Sequence, residues 1–577
     1  MIALYALPLF LICLGTGAAR DMMELFNLIP VREAFRDGHW LIPTLGGLPR
    51  LVKPPLPVWI PAGLAALFHS DNLWILRAPS ALLGLATCWG TYAIGCVTSR
   101  DRRLGLFAAL ALASMVVFIR QSRLASYDIY ATAFTTLGLL ALLVAAERPQ
   151  WWWLWSSAAG VALGLSVLSK GPVPPMYVLL PYGIWLLRYH VRQVRVWWGL
   201  GLALVVSVAV FLPWLVAVNQ QYHVQYGGNA WAIWTRQFVR YVAAPGHQYE
   251  QTRWYYLAMV GWVFPWTPAM IAGLAMPFFP TRSDPAPTDQ ERRGRWLFWL
   301  ILVLGLALLT VPHQKKQRYA LQQFPFAALL IGAVWQEFAR LRKESPLEAP
   351  AKILLAAQAI LLAGIGIGIA LLIPLILFAH RAPSFQTSPW TLMQILAVLR
   401  PGLDVLGPVG WGLLAALLIV LGVRIGRWQF QRRFQRAFLA YAAAGWLFMF
   451  GCYWAYAAGK GYQVSRYRKP TKQMVRLAGG HTIYTLNGDE PWLGVLYYAN
   501  EILPQVTPAE LQAIAAKNPK QPIFVLTRDE PPFKADVAGV RRATRRHGRV
   551  LDRINDGHYR QTLFELTPAG SGVGGNH

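Results

Sequence analysis

Charge is scarce in this 577-residue chain: Asp, Glu, Lys and Arg make up 14% of it, where a soluble domain carries roughly 25%. Acids are the scarcer sign, 26 against 54 Lys and Arg. With 55% hydrophobic residues and a mean hydropathy of +0.37, that composition excludes a disordered chain, a collagen and a coiled coil. No repeat of fixed period and no low-complexity tract occurs. Cysteine is nearly absent. Cys13, Cys88, Cys96 and Cys452 lie inside apolar segments, without metal-type spacing or a disulfide framework, and read as small buried hydrophobes.

Apolar length is what the chain has in quantity. Its 26 Trp and 49 Gly fit a polytopic membrane protein, where aromatic belts and close helix packing recur. A net charge of +28 would also suit a nucleic-acid binder, but cytoplasmic loops rich in Lys and Arg absorb the excess, so no nucleic-acid partner is expected. A span needs about 20 mostly apolar residues. Thirteen candidates lie near 2–19, 75–97, 104–125, 129–146, 151–168, 172–187, 197–218, 255–279, 296–312, 319–337, 351–379, 403–423 and 437–457. The first lacks a basic n-region and a small-residue cleavage site, and reads as an anchor rather than a signal peptide.

With the N-terminus cytoplasmic, every inner loop is positive, from Arg100, Arg102 and Arg103 to Arg424, Arg427, Arg432, Arg433 and Arg436. The outer face then receives long segments at 20–74, 219–254 and 380–402 and, after an odd number of spans, the C-terminal tail. The expected division is a transmembrane domain, 1–460, and a small α/β domain, 461–577. In the latter, HTIYTL and PIFVLT read as strands, and TPAELQAIAAK as a helix capped by Thr507. Its basic run, Arg541 to Arg549, reads as a solvated face, with anionic headgroups as the sharper alternative.

Ionisable groups at span ends mark function, because each costs about 2.5–3.5 kcal/mol within a span. On the outer face, Asp21 and Glu24 share one face of a short helix that also carries Arg32 and Glu33. Either acid could serve as a general base, or both could simply complement the helix dipole. Lys53, stiffened by Pro54-Pro55, suits a lipid-linked phosphate, with snorkelling as its bland alternative. Asp128 follows Arg120 and Arg123 and is expected to pair with one of them or to face a substrate. Lys170 ends a span in LSKGPVPP, and His247, Glu250, Arg253 and Tyr255 crowd a further outer loop. Then VPHQKKQRY packs His313, Lys315, Lys316, Arg318 and Tyr319 into seven residues, where the positive-inside rule expects few cations. An anionic ligand, most naturally a phosphate, accounts for them.

The order of these motifs resembles the aminoarabinose transferase family of polyprenyl-phosphate-dependent glycosyltransferases, with the GT-C fold. Arg32-Glu33 and Gly38-His39-Trp40 match its first outer loop, and Lys53 to Leu56 its K-P-P-L. Asp128, Ser169 to Gly171, Trp254 to Tyr256 and Lys316 to Tyr319 follow in that order. The match departs at Met23, where the family has Asp, and at Phe26-Asn27, where it has Arg-Tyr. The resemblance implies a bacterial inner-membrane enzyme that moves a sugar from an undecaprenyl phosphate carrier, at the periplasmic face, to lipid A or another glycan or protein acceptor. It implies Glu24 as the first-loop acid, Lys53 near the carrier phosphate, Asp128 as the second acid, and Tyr319 with Lys316 or Arg318 facing that phosphate.

The expected chemistry is attack of an acceptor oxygen, oriented by Asp21 or Glu24, on the anomeric carbon. Lys53, Arg253 and the Lys316–Tyr319 cluster would stabilise the departing phosphate, and Asp128 would hold one of these cations in place. No cofactor is expected; a metal on His247, Glu250 or His313 is the weaker alternative. A protein O-mannosyltransferase is the nearest rival. A lipid flippase is more remote, since neither repeat symmetry nor interrupted midplane helices is evident.

Overall fold

The computed structural model describes residues 1–15, 19, 22–243, 251–278, 286–341, 349–381, 392–463, 465–486, 493–528, 547–555 and 560–567. The chain forms two compact units. One comprises Met1–Thr16, Leu51–Pro61 and Asn72–Gly459; the other comprises Gly17–Arg50, Ala62–Asp71 and Lys460–His577.

The first unit is helical. Among the described residues, eight helices are long and apolar enough to cross a membrane. Two bent pairs raise the number to ten: Arg102–Ala113 with Val116–Arg123, at 68°, and Tyr255–Trp262 with Thr267–Phe278, at 119°. The remaining three of the thirteen expected spans fall on shorter helices: Ile2–Leu11, Val173–Tyr189 and Phe324–Arg340. Part of the expected outer segment 380–402 is also helical, from Leu392 onward, and a left-handed Gly407 kinks that helix.

Small residues allow these helices to approach closely. Gly160 and Gly164, one turn apart on Trp152–Lys170, face Val194–Tyr226. A Cβ at Gly160 would stand 2.6 Å from the Ala203 carbonyl oxygen, and one at Gly164 would stand 2.9 Å from that of Ser207. With lipid as apolar as leucine, such backbone contact is a main source of helix association. The core beneath is aromatic: buried Trp266 donates to the Ser114 hydroxyl at 2.9 Å, and Tyr441 donates to the Pro265 carbonyl at 2.6 Å. None of the four cysteines forms a disulfide, and Cys88 is fully buried, the others half-buried.

The second unit carries a five-stranded sheet in the order Gln505–Val506, Ile483–Leu486, Ile523–Arg528, Arg560–Thr567, His547–Asn555. Ile483–Leu486 is parallel to both its neighbours; the remaining pairs are antiparallel. The two expected strands and the helix at Pro508–Lys517 are present, the helix opened by a Thr507–Glu510 capping box. The run 541–546 lies outside the described residues. Met22–Asp37 belongs to this unit too, and it buries Leu25, Leu28 and Ile29.

The glycine contact makes a prediction. Gly160→Leu should lower the thermal unfolding midpoint of the detergent-solubilised protein, at a cost of about 1–3 kcal/mol from overpacking. Gly183→Leu, where a Cβ would meet nothing within 4 Å, should leave it unchanged.

Candidate functional site

Three helix ends of the first unit meet around one acid. Asp128 opens the Tyr127–Glu147 helix, Lys170 closes Trp152–Lys170, and Arg318 lies on the short 3-10 helix Gln317–Gln323. Lys170 Nζ donates to Asp128 Oδ1, and Arg318 Nε stands 3.5 Å from Asp128 Oδ2. The Asp128 side chain is 3% exposed, Lys170 8% and Arg318 19%. The Tyr319 ring lies against both cations, its centroid 4.5 Å from Lys170 Nζ and 5.3 Å from Arg318 Cζ.

Asp128 therefore does not pair with the arginines that precede it. Arg123 instead donates to the carbonyls of Leu9, Phe10 and Ile12, closing the end of Ile2–Leu11. Lys170, 42 residues away in sequence, is the partner instead, beyond the reach of any local pattern. The S-K-G match was its only signal.

Lys316 adds a further cation. Its backbone N–H approaches the Tyr256 hydroxyl at 3.4 Å, so the Tyr255–Ala258 turn and the cation cluster meet. Partial burial, with Arg318 and Lys170 nearby, outweighs Asp128 and pulls the Lys316 pKa down to about 8. Among the described residues of this cluster, Lys170, Lys316 and Arg318 surround one carboxylate, Asp128, an arrangement that suits an anion.

Neighbouring cations differ. Lys315 is buried and donates to the Pro312 carbonyl at 2.9 Å and the Gln251 carbonyl at 3.4 Å. Arg253 and His313 are exposed, and Lys53 is half-buried on the turn leading into Leu56–Leu67. Among the described residues, no three His, Cys, Asp or Glu side chains meet to hold a metal. Asp21, His247 and Glu250 lie outside the described residues. Glu24 is 1% exposed on Met22–Asp37, in the second unit.

The Arg32-Glu33 pair has a structural occupation. Gly46 and Gly47, both at positive φ, turn the hairpin of Thr44–Leu45 and Leu48–Pro49. Glu33 accepts their N–H groups at 2.7 and 3.2 Å and the Thr44 hydroxyl as well. Arg32 pairs with Asp71 at 3.0 Å and stacks 3.8 Å from the Tyr497 ring centroid.

The family model described as Dolichyl-phosphate-mannose-protein mannosyltransferase matches residues 52–216. Undecaprenyl phosphate-alpha-4-amino-4-deoxy-L-arabinose arabinosyl transferase 1 of Pseudomonas fluorescens is 28% identical over 435 residues, 69% of this chain and 72% of that protein. The corresponding arabinosyl transferase of Pseudomonas paraeruginosa is 27% identical over 374 residues, 63% of this chain and 62% of that protein. ArnT from Cupriavidus metallidurans, crystallised with undecaprenyl phosphate, is similar in fold over 100% of this chain and 98% of that one. The TM-score is 0.71 at 16% identity.

Two predictions follow from the cluster. Asp128→Ala leaves Lys170 buried without its counter-charge and should destabilise the protein by about 3–5 kcal/mol, whereas Asp128→Leu with Lys170→Met should recover most of that in thermal unfolding. Lys316 is charged below about pH 8 and neutral above it, so its hold on an anion is present at neutral pH and lost as pH rises. The KM for a phosphate-headed lipid donor should climb above pH 8, and Lys316→Arg should flatten that limb.

Proposed function

We infer that this chain, which belongs to the aminoarabinose transferase-like family of GT-C glycosyltransferases, moves a sugar from a polyprenyl phosphate carrier to an acceptor in the cell envelope. It is a multi-pass membrane glycosyltransferase of the bacterial inner membrane. The observation that carries the site assignment is the excess of cations around Asp128 at the end of apolar helices, where only an anion with an apolar tail is a natural occupant. The named relatives act on undecaprenyl phosphate-linked aminoarabinose.

In the proposed reaction an acceptor oxygen attacks the anomeric carbon, and the bond from that carbon to the carrier phosphate oxygen breaks. The electron pair leaves with the phosphate. Lys316 and Arg318, with Lys53 and Arg253 as further candidates, offset the charge that grows there, and the Tyr319 hydroxyl can donate to it. Asp128 acts through the cations it holds. The acceptor proton passes to a carboxylate of the first outer loop, Asp21 or Glu24. The acceptor is a lipid A-like glycolipid, and the N-terminus and the Arg100–Arg103 loop face the cytoplasm by the positive-inside rule. The family-model match over 52–216 supports a second reading, transfer to protein.

Transfer in membranes should fall about 100-fold for Arg318→Ala, the scale of losing one oxyanion-type donor, and fall with Lys53→Ala and Glu24→Ala. Near-normal rates in all three would remove the site assignment. Mass spectrometry of a deletion strain decides the acceptor: altered lipid A supports the first reading, and lost protein glycans beside unchanged lipid A the second.

A further inference from the structure

A second cationic site lies at the opposite end of the same helices. Glu147 ends the helix that Asp128 begins, and 19 residues at about 1.5 Å each separate the two by about 28 Å, roughly one hydrocarbon thickness. Arg100, just past Leu73–Ser99, pairs with Glu147 at 3.5 Å and so marks this far end. The Asp289–Thr310 helix repeats the arrangement: Glu291 lies at this end, and the residues after Thr310 lead into the Lys316 cluster.

Here a cavity of about 630 Å³ is lined by Arg100, Arg102, Arg103 and Arg340, with Ser99 and Thr288 beside them. Its two carboxylates are already occupied. Asp101 Oδ1 takes the Arg103 backbone N–H at 2.8 Å, and Oδ2 takes Gln336 at 2.9 Å and Arg340 at 3.1 Å. Glu291 grips Arg340 with both oxygens, at 2.7 and 3.0 Å, and also accepts the Thr288 N–H at 2.9 Å. Arg340 is thereby fixed, its guanidinium matched by Asp101 and Glu291. Arg102 and Arg103 are exposed at the rim, and Arg100 makes an exposed pair with Glu147. With Arg340 matched by Asp101 and Glu291, and Arg100 by Glu147, Arg102 and Arg103 are the lining cations that form no ion pair among the described residues, at the depth where a span meets lipid headgroups.

We propose that this cavity binds the phosphate of an anionic lipid headgroup, in the leaflet opposite the one that supplies the Asp128 site. Basic pockets between span ends are suited to such headgroups, because guanidinium groups contact phosphate oxygens in pairs while lipid tails follow the adjoining helices. The binding site stands on the geometry alone; only the naming of its leaflet as cytoplasmic rests on the positive-inside orientation. Its occupancy ties the ends of Leu73–Ser99, Asp289–Thr310 and Phe324–Arg340 to the membrane surface.

The test is native mass spectrometry of the full-length protein, released from detergent, with phosphatidylglycerol or phosphatidylethanolamine added. Phosphatidylglycerol adducts should exceed those of phosphatidylethanolamine, and Arg102→Ala with Arg103→Ala should weaken them about thirtyfold without changing the latter. Both arginines are exposed, so the variant should fold, and Arg102→Glu with Arg103→Glu should abolish the preference. Excess inorganic phosphate distinguishes the source: displacement of the lipid marks a free-phosphate site, resistance a lipid site. Equal phosphatidylglycerol binding by wild type and both variants would overturn the proposal. The readout is bound mass rather than transfer, so its failure would leave the glycosyltransferase reading standing, and inactivity would not touch it.

Discussion

The contact on which the site depends is one carboxylate, Asp128, held between Lys170 and Arg318 at the ends of apolar helices. Burying three charges there is costly, and the ion pair offsets that cost only while its members stay together. The result is a fixed array of cations whose sum exceeds the acid that organises it. Such an array has little reason to persist in an apolar setting except as a receptor for a further negative group. The Tyr319 ring, packed against both cations, keeps their geometry without adding charge.

Much of this was legible in the chain itself, because charge in an apolar sequence is conspicuous. Asp128, Lys316, Arg318 and Tyr319 stood out by lying where the topology expects few ions. Asp128's partner was not legible. Arg123 is five residues away and is the natural guess, yet the break between Ala113 and Val116 bends its helix, and its guanidinium serves carbonyls at the end of Ile2–Leu11. Lys170 reaches Asp128 only because Tyr127–Glu147 and Trp152–Lys170 run back antiparallel, a tertiary fact no local pattern records. Hydropathy also merged or overextended elements: it reads apolar length, and does not register that Ile2–Leu11 stops after ten residues or that Thr267 starts a new direction.

The Arg32-Glu33 motif shows a different limit. Its residue types suit catalysis, but the structure commits Glu33 to the N–H groups of a Gly46-Gly47 turn and Arg32 to Asp71 and Tyr497. Residue types that suit catalysis serve here as scaffold. In the same way Lys315, adjacent to Lys316, spends its ammonium on the carbonyls of Pro312 and Gln251. The second cationic cavity, ringed by Arg100, Arg102 and Arg103, escaped notice for the opposite reason: arginines on that side are what a membrane protein ordinarily carries.

The central claim is that the cations around Asp128 hold the phosphate of a lipid carrier. Equilibrium binding of undecaprenyl phosphate to the full-length protein, compared with Lys316→Ala combined with Arg318→Ala, tests it most directly. The account requires affinity to fall by about 100-fold, in proportion to two lost charge-assisted contacts. Equal affinity in the two proteins would contradict it.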